Sequence, residues 1–324
     1  MTQAFIHPIP QKPISITAYD HVKVAVLKPK DFEFYLEDLG FSRLETEAPA
    51  NFQKPFSVWG SGEAVIVIYE SQHSLAKPHH DQHGDTIFDL SFVSPDASHE
   101  GFGEIFGAGG MRHTLTKTRS FPLFPVKRGI LRIDHNTINL DQGDLEPAVN
   151  EYLKSFHLER GQFFHIHTKL TGLKSWVTRS PNFGVQIPFN EGTEESSQVQ
   201  EYVRIHRGPG VQHLALLSED LIQTMAAVKD SKKSEIKFLD IPDTYYELAK
   251  KRMKIDEDFK DLEQHRLLVD GDDSGYLLQI FTQNVFGGFF FELIQRKGNQ
   301  GFGEGNFQAL FESIELDQKR RGVL

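Results

Sequence analysis

Two imidazoles and one carboxylate stand out in the second half of the chain: His135 in RIDHNTINL, His213 in GVQHLALLS and Glu292 in FFFELIQRK. The histidines are 78 residues apart and Glu292 lies 79 beyond the second, so the two histidines fall at equivalent points of successive units. Glu292 is the polar member of a run of Phe, Leu and Ile, and its even-spaced neighbours Phe290 and Ile294 share its strand face. A carboxylate in such a strand is costly unless it is paired or holds a metal. Two imidazoles and one carboxylate form the facial triad of non-haem Fe(II) oxygenases. Three protein donors leave three octahedral positions, two for a bidentate 2-oxo acid and one for O₂. A lone strand histidine is more often structural, and a lone glutamate is more often salt-bridged. The repeat equivalence together with the apolar setting of Glu292 points to a metal.

Those three residues sit in a weak internal repeat. Four segments start with alternating apolar residues, pass an Asp/Ser/Pro turn and then take helical spacing. They begin at Tyr19, Thr86, Arg132 and Gly210. Strand-like runs follow: FSVWG and EAVIVIYES in the first unit, GQFFHIHTKL, LKSWVTRS and FGVQIPFNE in the third, RLLVDGD, GYLLQIFT and GFFFELIQR in the fourth. The expected fold is α+β: four β-α-β-β-β modules paired into two open-barrel domains, 1–128 and 129–324, with a C-terminal helix. The stretch Thr116–Arg128, with Pro122 and Pro125, reads as the linker between them. An insertion in the fourth unit suggests a helix through Tyr245, Leu248 and Met253. The final helix is read with Asn306 as N-cap and Phe307, Leu310, Phe311 and Ile314 on one face. His21 lies in the same local context as His135, but the second unit has no matching histidine. The N-terminal half is therefore read as a metal-free relic in which His21 packs.

Composition limits the alternatives. The chain has 324 residues, about two domains at roughly 150 residues each. Asp and Glu outnumber Lys and Arg by 45 to 35, which argues against nucleic acid and against an anionic membrane surface. There is no cysteine, so thiolate metal sites, disulfides and a cysteine nucleophile are excluded. No apolar run of about 18 residues predicts a membrane span. The N-terminus shows no secretory pattern, so the expected location is the cytoplasm. Phe is abundant, 27 residues, which fits a large core or an aromatic-lined pocket.

From Ile133 to Leu324 the sequence resembles the 4-hydroxyphenylpyruvate dioxygenases of the vicinal-oxygen-chelate superfamily. The resemblance rests on GPGVQHLAL, PDTYYELAKKR, GYLLQIFT, FFELIQRKGNQGFGEGNFQALFESIE and DQKRRGVL. The N-terminal half matches mainly in its repeat layout. The resemblance implies one Fe(II) per chain on His135, His213 and Glu292, and conversion of 4-hydroxyphenylpyruvate and O₂ to homogentisate and CO₂ in tyrosine catabolism. It implies a substrate pocket of Ser175, Pro188, Asn190, Gln198, Gln212 and Gln279, walled by Phe281, Phe290, Phe302 and Phe307. Gln279 and Asn190 would act on the substrate's phenol, and the segment carrying Phe302 and Phe307 would close the site. It also suggests a homodimer or homotetramer.

Alternatives stay open on sequence alone. A related 4-hydroxymandelate synthase uses the same substrate and lacks the pocket Pro and Asn; Pro188 and Asn190 favour homogentisate. An extradiol enzyme would be expected to show a second-sphere histidine acid, and none is identified. A non-catalytic binder would have no reason to keep both histidines with Glu292. The crowded His73, His79, His80 and His83 read as a solvated loop. Gly101–Gly110 lacks the GK[ST] of a phosphate loop. Lys319–Arg321 suits a helix C-terminus.

Overall fold

The computed structural model describes residues 5–97, 105–167, 171–229, 236–241, 243–306, 319 and 322. Alternating and apolar runs become strands, and the central ones are buried on both faces, as β4, whose Ile66 and Val67 enter two different core clusters. The first unit comprises β1 (Ala18–Val26), α1 (Pro29–Asp38), β2 (Ser42–Arg43), β3 (Ser57–Ser61) and β4 (Ala64–Glu70). Helix α1 opens on Pro29, whose missing N–H is harmless there, and carries Asp31 in its first turn, where a negative charge suits the dipole. It buries Phe32 and Leu36. After α2 (Lys77–His83) the second unit has β5 (Thr86–Val93), β6 (Ile105–Phe106), β7 (Arg112–His113) and β8 (Leu115–Thr116).

The third unit is complete: β9 (Ile130–Leu140), α3 (Leu145–Ser155), β10 (Glu159–His167), β11 (Gly172–Arg179) and β12 (Gln186–Gly192). Helix α3 buries Leu145, Ala148, Val149 and Tyr152, the spacing of one helical face. Helix α4 (Gln198–His206) connects to the fourth unit. Its first turn is capped by Ser197, whose hydroxyl accepts from the Gln200 N–H. The fourth unit runs β13 (Gly210–Ser218), α5 (Leu221–Lys229), α6 (Asp243–Arg252), α7 (Phe259–His265), β14 (Leu268–Asp272), β15 (Gly275–Phe281) and β16 (Phe290–Lys297). The expected insertion helix is thus α6, with Met253 just past its end.

Two eight-stranded sheets result, each curled into a half-barrel, in the order β2-β3-β4-β1-β5-β7-β6 (with β8 also on β5) and β10-β11-β12-β9-β13-β16-β15-β14. In both, the first strands of two units lie antiparallel at the centre: β1 on β5, and β9 on β13. The last strand of a unit lies parallel beside its first, as β12 beside β9 and β16 beside β13. This is the pseudo-twofold arrangement that sends side chains from β9 and β13 into one cleft. Among the described residues no helix is long and apolar enough to cross a membrane.

Three readings change. In the second unit Ile105–Phe106 is a strand rather than part of a helix, and the rest of the expected helix, 98–104, lies outside the described residues. The His-rich segment is the helix α2 rather than a solvated loop. His83 is buried, with Nδ1 2.8 Å from the His206 carbonyl and Nε2 3.1 Å from that of Gly109. Its ring stacks on His206 at 4.3 Å, which explains why a histidine at this point orders the segment. Asn306 does not cap a helix that starts beyond it, because it already sits in the helical turn 304–306 and its side chain is engaged elsewhere. Residues 307–318, with Phe307, Leu310, Phe311 and Ile314, lie outside the described residues.

Burial holds His113 down at about 4, and burial together with the nearby His83 does the same to His206. An unfolded chain takes up protons at both from about pH 6.5 downward, while the folded chain keeps them neutral. Their contribution to stability is therefore present above about pH 6.5 and is lost as pH falls toward 4. Thermal unfolding should show Tm falling through that window, with a shallower fall in His113→Asn; an unchanged slope in that variant contradicts the assignment.

Candidate metal centre

The centre is built on three neighbouring strands of the second sheet, β9, β13 and β16. His135 on β9 pairs with Ala215 on β13, Ala215 with Glu292 on β16, and Glu292 with Phe281 on β15. Two rungs away, on the same face, Thr137 pairs with His213, and His213 with Phe290. The three donors thus come from two alternate rungs that share one face of neighbouring strands, and the small Ala215 leaves room between His135 and Glu292. Strict alternation would turn Asp134 and Gln212 away from the barrel. The β9/β13 register shifts at both positions, and such bulges re-aim side chains beside active sites. Asp134 and Gln212 consequently reach the rings next to them in sequence.

His135, His213 and Glu292 are each at most 3% exposed. Among the described residues they form a three-donor group whose ligand atoms lie within 4.8 Å of one another. Glu292 Oε2 is 3.3 Å from His135 Nε2 and 3.6 Å from His213 Nε2, so both rings present the same nitrogen to one point. His135 Nδ1 donates to Asp134 Oδ1 at 2.8 Å, and Arg296 holds that carboxylate through two nitrogens at 2.7 and 2.8 Å. Arg296 and Asp134 are nearly fully buried, and breaking such a pair costs about 3–5 kcal/mol. Gln212 Oε1 lies 3.3 Å from His213 Nδ1, which leaves the Nε2 lone pair free to accept from the Thr137 hydroxyl or to bind a metal. Gln279 Nε2 donates to Glu292 Oε1 at 2.8 Å, so the free Oε2 points at the histidines. Each ligand has a second residue holding its far side, the pattern that orients metal ligands.

The electrostatics fit a cation. Burial pulls His135 down, but Glu292 and Asp134 outweigh it and carry the imidazole up to about 9. Burial, reinforced by His135, drives His213 well below the ordinary range. Burial would raise Asp134, yet Arg296 keeps it far below the usual carboxylate range. Without a metal, the proton on His135 supplies the positive charge that Glu292 needs.

The pocket residues expected from the sequence distribute around this centre. Phe290 stacks beside His213 at 4.9 Å, and Phe302 meets the His135 ring edge-on at 5.1 Å. Phe281 packs against Phe290. Ser175, Asn190 and Asn139 form one row across β11, β12 and β9. Asn190 donates to Asn139 Oδ1, while Ser175 Oγ and Asn139 Nδ2 are buried with no partner in the protein. Pro188 shares the inward face of β12 with Asn190 and is buried. Gln198, at the start of α4, accepts from Gln212 at 3.4 Å. Both, with Phe290, line a cavity of about 270 Å³. Gln279 is already committed: it donates to Glu292 and to the Phe302 carbonyl and accepts from Asn306. Phe307 lies outside the described residues.

Sequence reasoning missed Asp134, Arg296, Thr137 and Asn139. The signals were present. HNTIN places His135, Thr137 and Asn139 on one strand face, and the pair Asp-His occurs twice, at Asp20–His21 and Asp134–His135. Arg296 carries no such sign, since it reaches Asp134 across 162 positions.

A scan against protein-family models finds no match. Curated relatives are informative. The chain is 36% identical over 321 residues to 4-hydroxyphenylpyruvate dioxygenase of Legionella pneumophila strain Corby, covering 88% of this chain and 91% of that one. It is 30% identical to the enzyme of that name from Pseudomonas sp. strain P.J. 874, covering 97% and 98%. The chain belongs to the 4-hydroxyphenylpyruvate dioxygenase family. Among solved structures, a mutant 4-hydroxymandelate synthase from Streptomyces coelicolor superposes with a TM-score of 0.81 at 26% identity, covering 94% of this chain and 99% of that one. A fusion of a xylose isomerase-like TIM barrel with 4-hydroxyphenylpyruvate dioxygenase shares the fold, with a TM-score of 0.76 at 21% identity over 95% of this chain and 54% of that one. The relatives that show the family are named dioxygenases, and this chain, with its own buried His-His-Glu group, is a dioxygenase of that family.

Metal uptake must displace the His135 proton, so the affinity of the metal-free protein for a divalent cation should rise with pH up to about 9, with proton release. Calorimetry in buffers of different ionisation enthalpy reads this; uptake without proton release between pH 7 and 8 contradicts it. The folded-state His135 value lies above the ordinary 6.5. The stability that it gives the metal-free protein is therefore full below about pH 6.5 and lost as pH rises through about 9. Asp134→Asn should weaken metal binding about 10- to 100-fold by releasing the His135 ring; unchanged affinity in the folded variant contradicts that role.

Proposed function

We propose that this chain is an Fe(II)-dependent 4-hydroxyphenylpyruvate dioxygenase that forms homogentisate and CO₂ from 4-hydroxyphenylpyruvate and O₂. The observation that carries the reading is the meeting of His135 Nε2, His213 Nε2 and Glu292 Oε2 at one buried point, beside buried polar atoms with no partner in the protein. Two neutral nitrogens and one carboxylate oxygen suit Fe(II) and leave open positions. When bound, the iron would activate O₂ and chelate the 2-oxo acid.

The chain's own residues supply the rest. Phe290 and Phe302 flank the histidines and exclude water from the reacting end of the substrate. The row Ser175, Asn190 and Asn139 offers a hydroxyl and two amides, and the unpartnered Ser175 Oγ and Asn139 Nδ2 are poised to bond a buried polar substituent such as a phenol oxygen. Gln279 acts through Glu292 in this arrangement, and it serves the phenol only when the Asn306 contact is released. Pro188 stiffens the strand beside Asn190, and the presence of both favours ring hydroxylation over the benzylic product of 4-hydroxymandelate synthase. The substrate and O₂ are the small-molecule partners, and tyrosine catabolism is the corresponding setting. A cytoplasmic homodimer or homotetramer, with the domain limits 1–128 and 129–324, completes the reading.

Incubation with Fe(II), reductant, O₂ and 4-hydroxyphenylpyruvate should release CO₂ and yield homogentisate by chromatography. 4-Hydroxymandelate as product, or no CO₂, overturns the proposal. Asn139→Ala should keep the metal and lower kcat/KM about 10- to 100-fold, the loss of one buried hydrogen bond to substrate.

A further inference from the structure

We propose that the N-terminal half holds a second donor centre, the counterpart of His135, His213 and Glu292, in which the Lys23 ammonium stands permanently where a divalent cation would sit. The strand registers of the two sheets define the correspondence. His21 pairs with Ser91 as His135 pairs with Ala215, and Lys23 pairs with Asp89 as Thr137 pairs with His213. The register of β1 on β5 shifts at Asp20 and at Phe88, as that of β9 on β13 shifts at Asp134 and Gln212. Asp89 pairs with Arg112 as His213 pairs with Phe290, which puts Thr114 at the place of Glu292. His21, Asp89 and Thr114 therefore occupy the three ligand positions.

Hydrogen bonds link these side chains into one buried cluster. His21 Nδ1 donates to Asp20 at 2.8 Å, the distance between His135 and Asp134. Asp20 is held in turn by the Ser120 N–H at 2.8 Å, where Asp134 has Arg296. His21 Nε2 faces inward onto Ser91 Oγ at 2.9 Å, and that oxygen lies 3.1 Å from Asp89 Oδ1. Thr114 Oγ1 donates to Asp89 Oδ2 at 2.6 Å. Lys23 Nζ lies on two of them, 2.7 Å from Asp89 Oδ2 and 3.3 Å from Thr114 Oγ1. Asp89 is fully buried, and a buried carboxylate without a cation is strongly unfavourable. The family centre meets that demand with a metal; this one meets it with a tethered ammonium. Phe52 and Phe121 pack on the His21 ring, so the space kept for substrate in the second half is filled with aromatic side chains here. The Lys23 side chain remains 13% exposed, which marks the route by which an ion would enter once the ammonium is gone.

Removing the ammonium should open the site to a divalent ion. In full-length protein carrying His213→Ala, which disables the C-terminal centre, adding Lys23→Ala should confer one equivalent of Co(II) binding per chain with a visible ligand-field band. Adding Asp89→Asn should abolish it. The His213→Ala protein alone should show no such band. Absence of binding by the folded Lys23→Ala/His213→Ala protein, or binding that survives Asp89→Asn, overturns the proposal. Should Lys23→Ala fail to fold, the uncharged Lys23→Met supplies the second test. Its Tm should drop, and Lys23→Met/Asp89→Asn should recover most of the loss. A double variant no more stable than Lys23→Met refutes the cation role.

Discussion

A buried carboxylate must have positive charge beside it, and the second half of this molecule is arranged around that demand at Glu292. Its one free oxygen faces two imidazole nitrogens within 3.6 Å, while Gln279 occupies the other oxygen. In water such a group would lose little by standing alone. In a strand of Phe, Leu and Ile the charged form is tolerated only because His135 can be protonated or a metal can replace that proton. Arg296 then offsets the charge of Asp134, so the cluster alternates in sign from Arg296 through Asp134 and His135 to Glu292. Truncating one member leaves its neighbour uncompensated.

The same frame explains how the two halves differ. Both sheets place an Asp-His pair on a bulged central strand, and both put a second donor opposite on the antiparallel neighbour. Where the second half keeps Thr137, short and neutral, the first has Lys23; where the second has His213, the first has Asp89. The exchange turns an open ligand set into an internal ion pair. Aromatic packing follows the same division. Phe52 and Phe121 fill the space around His21, whereas Ser175, Asn190 and Asn139 keep polar atoms inside the second barrel. Unpartnered buried polar atoms weaken a fold, and they persist where a ligand supplies the missing bonds.

The segment after β16 ties the mouth of the barrel to the centre. The Arg296 guanidinium binds the Gly301 carbonyl, Phe302 covers His135, and Asn306 donates to Gln279 while accepting from Tyr245. This one segment therefore both occupies the Gln279 carbonyl oxygen and covers the His135 ring.

Much of this was legible in the residues alone. Period-two alternation places His135, His213 and Glu292 on inward faces, the repeat spacing relates the two histidines, and the β-α-β-β-β order emerges because strand and helix periods differ locally. These are properties of neighbours in the chain, and a sequence carries them without folding. What the tertiary structure decided is long-range. Arg296 on Asp134, Gln279 on Glu292, and Lys23 with Thr114 on Asp89 each join strands far apart in sequence. The bulges that turn Asp134 and Gln212 inward belong to a register between two strands, which neither strand encodes by itself. His83 shows the limit most plainly. Its local sequence suggests a solvated polar run, and it is buried because α4 and the second unit pack around it, with its ring stacked on His206 and near the Gly109 carbonyl.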